Sequence, residues 1–206
     1  MYKGLYDRFA NWFRGGNIWL YSDPHFGDTE MQYIRKDYIG DDEQVKNINA
    51  KVGKNDTIIF LGDIGDVSFI KKIRGYKVLI MGNHDSGASN YKRGLETIFV
   101  NNMPQEVDNH LFDEVYEGPL FINDKVLLSH EPLSITPHCI FNIHGHDHSG
   151  LCGEEGYGYN VCAEWINYSP VSLLSMLKGG FFSKVDNIHR FTIDKATERK
   201  GGKNNG

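Results

Sequence analysis

Residues 143–148 read Ile-His-Gly-His-Asp-His, three imidazoles within five residues at the end of an apolar run. Imidazole is the commonest metal-ligating side chain near neutral pH. Gly145 permits the tight turn that lets His146 and His148 project into one space. Nine histidines in 206 residues also cluster by chance, so the hexapeptide gains its weight from what precedes it. Four further apolar runs end in chemistry-bearing residues: 17–22 at Asp23-Pro24-His25, 57–61 at Gly62-Asp63, 77–81 at Gly82-Asn83-His84-Asp85, and 126–129 at His130. Singly, Asp-x-His reads as a turn, Gly-Asp is common, and a buried histidine is usually a hydrogen-bonded core residue. Five such placements together are costly to bury unless a cation pairs with them. Mixed carboxylate and imidazole donors suit divalent manganese, iron, cobalt, nickel or zinc better than magnesium or calcium.

The elements around these residues follow from the apolar pattern. Strands over 17–22, 57–61 and 77–81 are separated by helical segments. One helix carries Val45, Ile48 and Val52 on one face behind an Asp41-Asp42 N-cap, and a shorter one covers 67–74. Lys54-Asn55-Asp56 reads as a turn. Strand–helix–strand crossovers imply parallel pairing, and open α/β sheets build their sites at the carboxyl ends of such strands. A further helix is expected over 91–98. Beyond it, runs at 112–116, 120–122 and 126–129 are short and broken by Gly-Pro and Asn-Asp turns, an antiparallel texture. Strands at 139–143 and 157–162 and a short helix over 171–178 complete the reading. Residues 1–16 mix five aromatics with charges at helical spacing, suited to packing on the domain surface. The chain reads as one domain over 1–196, with 197–206, rich in Lys, Gly and Asn, as a disordered tail.

The composition is that of a globular protein, with 40% hydrophobic and 13% aromatic residues. No apolar run approaches the roughly 20 residues of a membrane span, and the first residues are too charged for a signal peptide. A cytoplasmic location and no membrane partner are expected. Cys139, Cys152 and Cys162 follow no CxxC spacing and read as reduced structural thiols, Cys139 and Cys162 in the core. His110, His138 and His189 lack matching neighbours and read as surface or core residues. A net charge of −5 argues against broad nucleic-acid binding, which needs phosphate-neutralising cations.

In chain order, the strand-end motifs resemble the D-x-H, G-D, G-N-H-[DE], H and G-H-x-H series of the calcineurin-like metallophosphoesterases, over roughly residues 17–150. The opening Asp23-Pro24-His25-Phe26-Gly27 and the stretch 160–172 further resemble a small, single-domain bacterial and phage branch. The resemblance implies an α/β fold, a four-layer α/β/β/α sandwich of two mixed sheets flanked by helices. It implies two divalent transition metal ions, manganese foremost, with iron, nickel, cobalt or zinc as alternatives. One would be held by Asp23, His25 and His148, the other by Asn83, His130 and His146, with Asp63 bridging. A shared carboxylate holds two cations about 3.5–4 Å apart, the spacing of two-metal hydrolases. A hydroxide between the metals would attack phosphorus in line while the metals neutralise the phosphoryl oxygens. By the same resemblance His84, at the rim, protonates the leaving oxygen. Asp66 matches the second Asp of the family's G-D-x-x-D. It reads as orienting His84 or as a helix N-cap, and the two roles are compatible. His144 reads as a residue behind the ligands or a substrate contact, and Glu131 as a solvated side chain.

Two departures bear on substrate. Asp28 stands where relatives with the Phe-Gly opening often carry His, and an acid there would repel an anion unless it is paired. Val67 stands where the protein Ser/Thr phosphatases carry Arg, which sets that class aside. The activity implied is hydrolysis of a small phosphate ester, a phosphodiester or nucleotide before a phosphoprotein. These ligands serve diester and monoester alike. One alternative is a nuclease-like activity on short nucleic acid, which a basic or aromatic groove would support and the sequence does not clearly show. The other is a non-catalytic binding scaffold. Such scaffolds typically lose ligands or the catalytic histidine, whereas this chain keeps all seven ligands and His84. The sequence sets no oligomeric state.

Overall fold

The computed structural model describes residues 4–35, 37–85, 91, 95–100, 103–108, 111–133, 139–150 and 157–186, with the strands at 95–100 and 103–108 described mainly by their backbone. The expected tail over 197–206 lies outside the described residues, as do His110, His138, His189 and Cys152. Strands β1 (Ile18–Tyr21), β2 (Thr57–Phe60) and β3 (Tyr76–Ile80) pair in parallel. Ile18, Leu20, Tyr21, Ile58, Ile59, Phe60, Val78, Leu79 and Ile80 are all buried. Such near-continuous burial is the mark of parallel strands covered on both faces.

Where a helix is expected over 91–98, Tyr91 is helical, residues 92–94 lie outside the described residues, and 95–98 belong instead to a hairpin of β4 (Leu95–Val100) and β5 (Met103–Asp108). Thr97, Ile98, Phe99 and Val100 are β-branched or aromatic, and a partner strand three residues on lets that preference prevail. The runs that follow are not uniformly antiparallel. β6 (Glu114–Tyr116) lies parallel to β3. β7 (Leu120–Phe121) and β8 (Val126–Leu128) form an antiparallel pair across Asn123-Asp124, and β8 then runs parallel to β9 (Phe141–His144). The long connections before β6 and β9 leave room for a parallel return, which a tight turn does not. β10 (Gly158–Asn160) lies parallel to β9, and β11 (Val171–Ser172) antiparallel to β1. The sheets are thus β11-β1-β2-β3-β6 and β10-β9-β8-β7.

The helices are short. α1 is Met31–Ile34, α2 is Asp41–Lys51 and α3 is Leu173–Lys178, with 3-10 helices at Asp7–Trp12, Val67–Lys72 and Ala163–Ile166. Gly40, not Asp41, occupies the N-cap position of α2. Asp41, in the first turn, accepts hydrogen bonds from Gly27 N and Tyr38 OH. The stretch 171–178 opens as the edge strand β11 before becoming α3, where Ser172 Oγ caps the helix by accepting from Ser175 N. Ile18, Leu20 and Ile58 of the first sheet share one core cluster with Val126, Leu128 and Ile143 of the second. Two mixed sheets with flanking helices therefore enclose a common interior. Among the described residues no helix is long and apolar enough to cross a membrane.

Candidate metal centre

The backbone ladder continues past the strand ends and brings them together. Asp23 N donates to Gly62 O, His25 N to Asp63 O, Gly145 N to His130 O, and Ser22 N to Val161 O. Asp23, His25, Asp63 and His146 all adopt left-handed backbone, with φ of 53°, 46°, 53° and 64°. That conformation costs a non-glycine residue about 1–3 kcal/mol, and such strain collects where a side chain must be aimed. Two glycines make the close approach feasible. A Cβ on Gly145 would overlap Ser22 Oγ and Asp23 Oδ2, and one on Gly82 would overlap Asp63 Oδ1.

All seven side chains read from the sequence as ligands converge. Asp23 Oδ1 lies 3.9 Å from His25 Nε2 and 3.6 Å from His148 Nε2. Asp63 Oδ2 lies 3.6 Å from His25 Nε2 and 3.4 Å from His130 Nε2. His130 Nε2 faces Asn83 Oδ1 at 2.8 Å and His146 Nδ1 at 3.1 Å. Asp23, His25 and His148 form one group with metal-ligand spacing, and Asp63, His130 and His146 a second.

The donors fit divalent ions for reasons internal to the structure. Asp23 Oδ1 and His25 Nε2 are buried and have no hydrogen-bond partner, an expensive state for polar atoms unless a cation meets them. His130 Nδ1 is 2.8 Å from Leu61 O. A carbonyl only accepts, so Nδ1 carries a proton and donates it there, and Nε2 is the ring nitrogen turned toward the cluster. Nε2 lies 2.8 Å from Asn83 Oδ1, so an imidazole nitrogen and an amide oxygen, both able to ligate a metal, are presented together. Burial pushes the pKa of His25 down to about 4, against the pull of Asp23 and helped by Arg35, His148 and His84. The imidazole is therefore neutral near pH 7, as a metal ligand must be.

A surrounding layer, to which the sequence reading assigns no role in holding the ligands, supports these donors. Asp23 Oδ2 accepts from His146 N at 2.9 Å, from Cys162 Sγ at 3.2 Å and from Ser22 Oγ, which leaves only Oδ1 open. His148 Nδ1 lies 2.5 Å from Glu164 Oε1, and Glu164 Oε2 lies 3.5 Å from Arg35 Nε. Buried Arg35 also donates to Asp23 O at 2.5 Å and Pro24 O at 3.4 Å. The hydrogen bond to Glu164 raises the pKa of His148 against the effect of burial. Burial opposes the charge on Glu164, yet the bond to His148 and the Arg35 guanidinium hold its pKa below the usual range. A carboxylate behind a histidine fixes its tautomer and increases its basicity toward a metal. Asp85 ties two loops, accepting from Asp63 N, Ile64 N and Gly82 N. As the fourth residue of Gly-Asn-His-Asp it was the one member of this layer with a local signal. Glu164 and Arg35 had none.

The remaining candidates are placed as follows. His84 is exposed, its N donating to Asp63 Oδ1 at 3.0 Å and its ring centre 5.6 Å from that of His25. Asp66 caps the 3-10 helix Val67–Lys72, its Oδ1 accepting from Ser68 N at 2.9 Å, and makes no hydrogen bond to His84. Asp28 is half-buried, and its Oδ1 accepts from Glu30 N at 2.8 Å. His144 is buried, with Nδ1 2.9 Å from Gly145 O and Nε2 unpartnered, and burial lowers its pKa. Glu131 is exposed, and Cys139 and Cys162 are buried free thiols.

The sequence matches the family model for calcineurin-like phosphoesterases over residues 16–173, and the chain belongs to that family. A crystal structure of a protein of unknown function from Aquifex aeolicus has a similar fold. It shows 23% identity and a TM-score of 0.57, and the match covers 79% of this chain and 98% of that one. No curated protein matches the chain. Family and site together make this a metal-dependent phosphoesterase, with two residue groups placed to bind divalent ions.

Proposed function

We propose that the chain is a dinuclear phosphoesterase acting on a small phosphodiester or nucleotide. Asp23, His25 and His148 hold one ion, Asn83, His130 and His146 the other, and Asp63 is shared. The observation that carries this reading is Asp63 Oδ2, which stands 3.6 Å from His25 Nε2 on one side and 3.4 Å from His130 Nε2 on the other. Divalent ions bound there supply positive charge to a phosphoryl group and activate water as a nucleophile. Carboxylate and imidazole donors favour manganese, iron, cobalt, nickel or zinc.

The chain's own groups do the rest. The bond from His84 N to Asp63 Oδ1 ties the His84 backbone to the shared carboxylate. Its exposed ring at the rim reaches the leaving oxygen and donates a proton to it, work an imidazole suits near neutrality. Among the described residues, the guanidinium that approaches the cluster is that of Arg35. It is engaged by Asp23 O, Pro24 O and Glu164. A monoester dianion would gain nothing from it, which favours the singly charged diester.

The test is hydrolysis of bis-p-nitrophenyl phosphate and of p-nitrophenyl phosphate by metal-stripped protein resupplied singly with manganese, nickel, cobalt, zinc or magnesium. The expected result is faster cleavage of the diester with a transition metal, strongly reduced in Asp63→Asn. His84→Ala should slow an alkyl ester by about 10²–10⁴-fold and a p-nitrophenyl ester much less, because p-nitrophenolate leaves without a proton. Preference for the monoester would overturn the diester assignment, and no turnover with any metal would overturn the enzyme.

A further inference from the structure

We infer that Trp165 is a stacking platform for a nucleobase, so that the substrate is a small phosphodiester with a nucleoside on the arm beside His148. The inference rests on the phosphoesterase reading above. Trp165 lies in the 3-10 helix Ala163–Ile166, next to Glu164. Its Nε1 donates to His148 O at 3.1 Å, while Glu164 grips the ring of the same histidine. Two consecutive residues thus hold one ligand, one by its backbone and one by its imidazole. The indole also lies against Gly150, where a Cβ would overlap the six-membered ring.

The ring is fixed at the edge of the cluster, yet Trp165 is 51% exposed. The other tryptophans are used differently. Trp12 is fully buried with Nε1 on Glu114, and Trp19 is half-buried with Nε1 on Asp56. An aromatic side chain already immobilised loses little entropy when a planar group stacks on it. Such stacking is how proteins hold bases without reading their edges.

At the other end of the cluster a recess of ≈ 250 Å³ runs from Asn83 and His130 to Glu117, Pro119 and Glu131. Among the described residues no Lys or Arg lines it, and its two carboxylates disfavour a further phosphate. The second arm of the ester is therefore an uncharged alcohol. This disfavours nucleoside di- and triphosphates and fits a diester whose phosphate lies between a base and a neutral arm.

The experiment compares two esters with the same leaving group on the metal-loaded full chain: thymidine 5′-(p-nitrophenyl phosphate) and methyl p-nitrophenyl phosphate. The nucleoside ester is expected to show a KM lower by about tenfold or more, the scale of one base–aromatic stack, with similar kcat. Trp165→Ala should erase that ratio and Trp165→Phe should keep most of it. Thymidine 5′-monophosphate should quench indole fluorescence in the wild type and leave Trp165→Phe, which retains Trp12 and Trp19, unquenched. Equal KM values for the two esters would overturn the inference. So would an equal loss on both esters in Trp165→Ala, which would reduce Trp165 to positioning His148. If neither ester is cleaved, the phosphoesterase reading fails on its own, and the quenching alone decides the stacking.

Discussion

Glu114, on β6, and Asp23, just past β1, are both carboxylates drawn in among aromatic and polar neighbours, but they are surrounded differently. Glu114 Oε1 accepts from Asn11 Nδ2 at 2.6 Å and Tyr76 OH at 2.8 Å, and Oε2 from Trp12 Nε1 at 3.1 Å and Tyr116 OH at 2.5 Å. Both oxygens are saturated. Asp23 is saturated on Oδ2 alone, while Oδ1 is buried and unpartnered, 3.9 Å and 3.6 Å from the Nε2 atoms of His25 and His148. This protein can surround a carboxylate with its own donors where structure requires it. The half-open state of Asp23 therefore marks a place where the partner is not part of the chain. The same contrast separates Asp56, which accepts from Asn17 N, Gly53 N and Trp19 Nε1, from Asp63.

The comparison breaks most visibly at Asp63. Asp63→Asn should lose on the order of 10²–10³-fold in diester hydrolysis, the loss typical of one preorganised electrostatic group, and should lose the second ion from its metal content. Retained activity with two ions would mean that the open carboxylate is not the bridge. Glu164→Gln keeps the size of the side chain but removes the charge behind His148. It should weaken metal binding by about 10–100-fold as read by titration calorimetry, with the metal-free unfolding midpoint little changed. A large drop in stability without a change in affinity would make Glu164 part of the closed class instead.

Glu114→Gln is the converse. Metal content should stay at that of the wild type while stability falls by roughly 1–3 kcal/mol, the cost of disturbing a hydrogen-bonded charge, measured by urea unfolding. The smallest effect is in its pH dependence. Burial opposes the charge on Glu114, but hydrogen bonds from Tyr116, Tyr76, Trp12 and Asn11 outweigh it and lower its pKa in the fold. A depressed folded pKa gives stability that is complete above the unfolded value of about 4.3 and is lost as pH falls through the folded value. The gap in unfolding free energy between wild type and Glu114→Gln should therefore be constant from neutrality to about pH 5 and narrow below about pH 4. A gap independent of pH would show that Glu114 is not held ionised by its neighbours.

Much of the site is legible in the sequence because each ligand follows directly on an apolar run, so the motif and the strand that positions it are neighbours in the chain. Asp23, Asp63, Asn83, His130 and the 146–148 pair all share that arrangement, and the structure brings them together. The supporting layer is assembled across the fold. Arg35 reaches Asp23 O from beyond α1, and Glu164 reaches His148 from the end of the second sheet. No short motif announces either. The fold shows the same division. Parallel β1, β2 and β3 follow from local apolar runs, whereas the parallel placing of β6 and β8 depends on partners far along the chain. Residues 95–100 went to a hairpin because β-branched residues found a strand opposite, information a helical reading of 91–98 does not contain. Asp66 shows a motif residue put to a local use, since its carboxylate caps a 3-10 helix and makes no hydrogen bond to His84.

The most direct test of the central claim is anomalous scattering from crystals grown with manganese. Two peaks about 3.5–4 Å apart are predicted, one among Asp23, His25 and His148, the other among Asn83, His130 and His146, with Asp63 between them. A single peak, or peaks away from Asp63, would contradict the account.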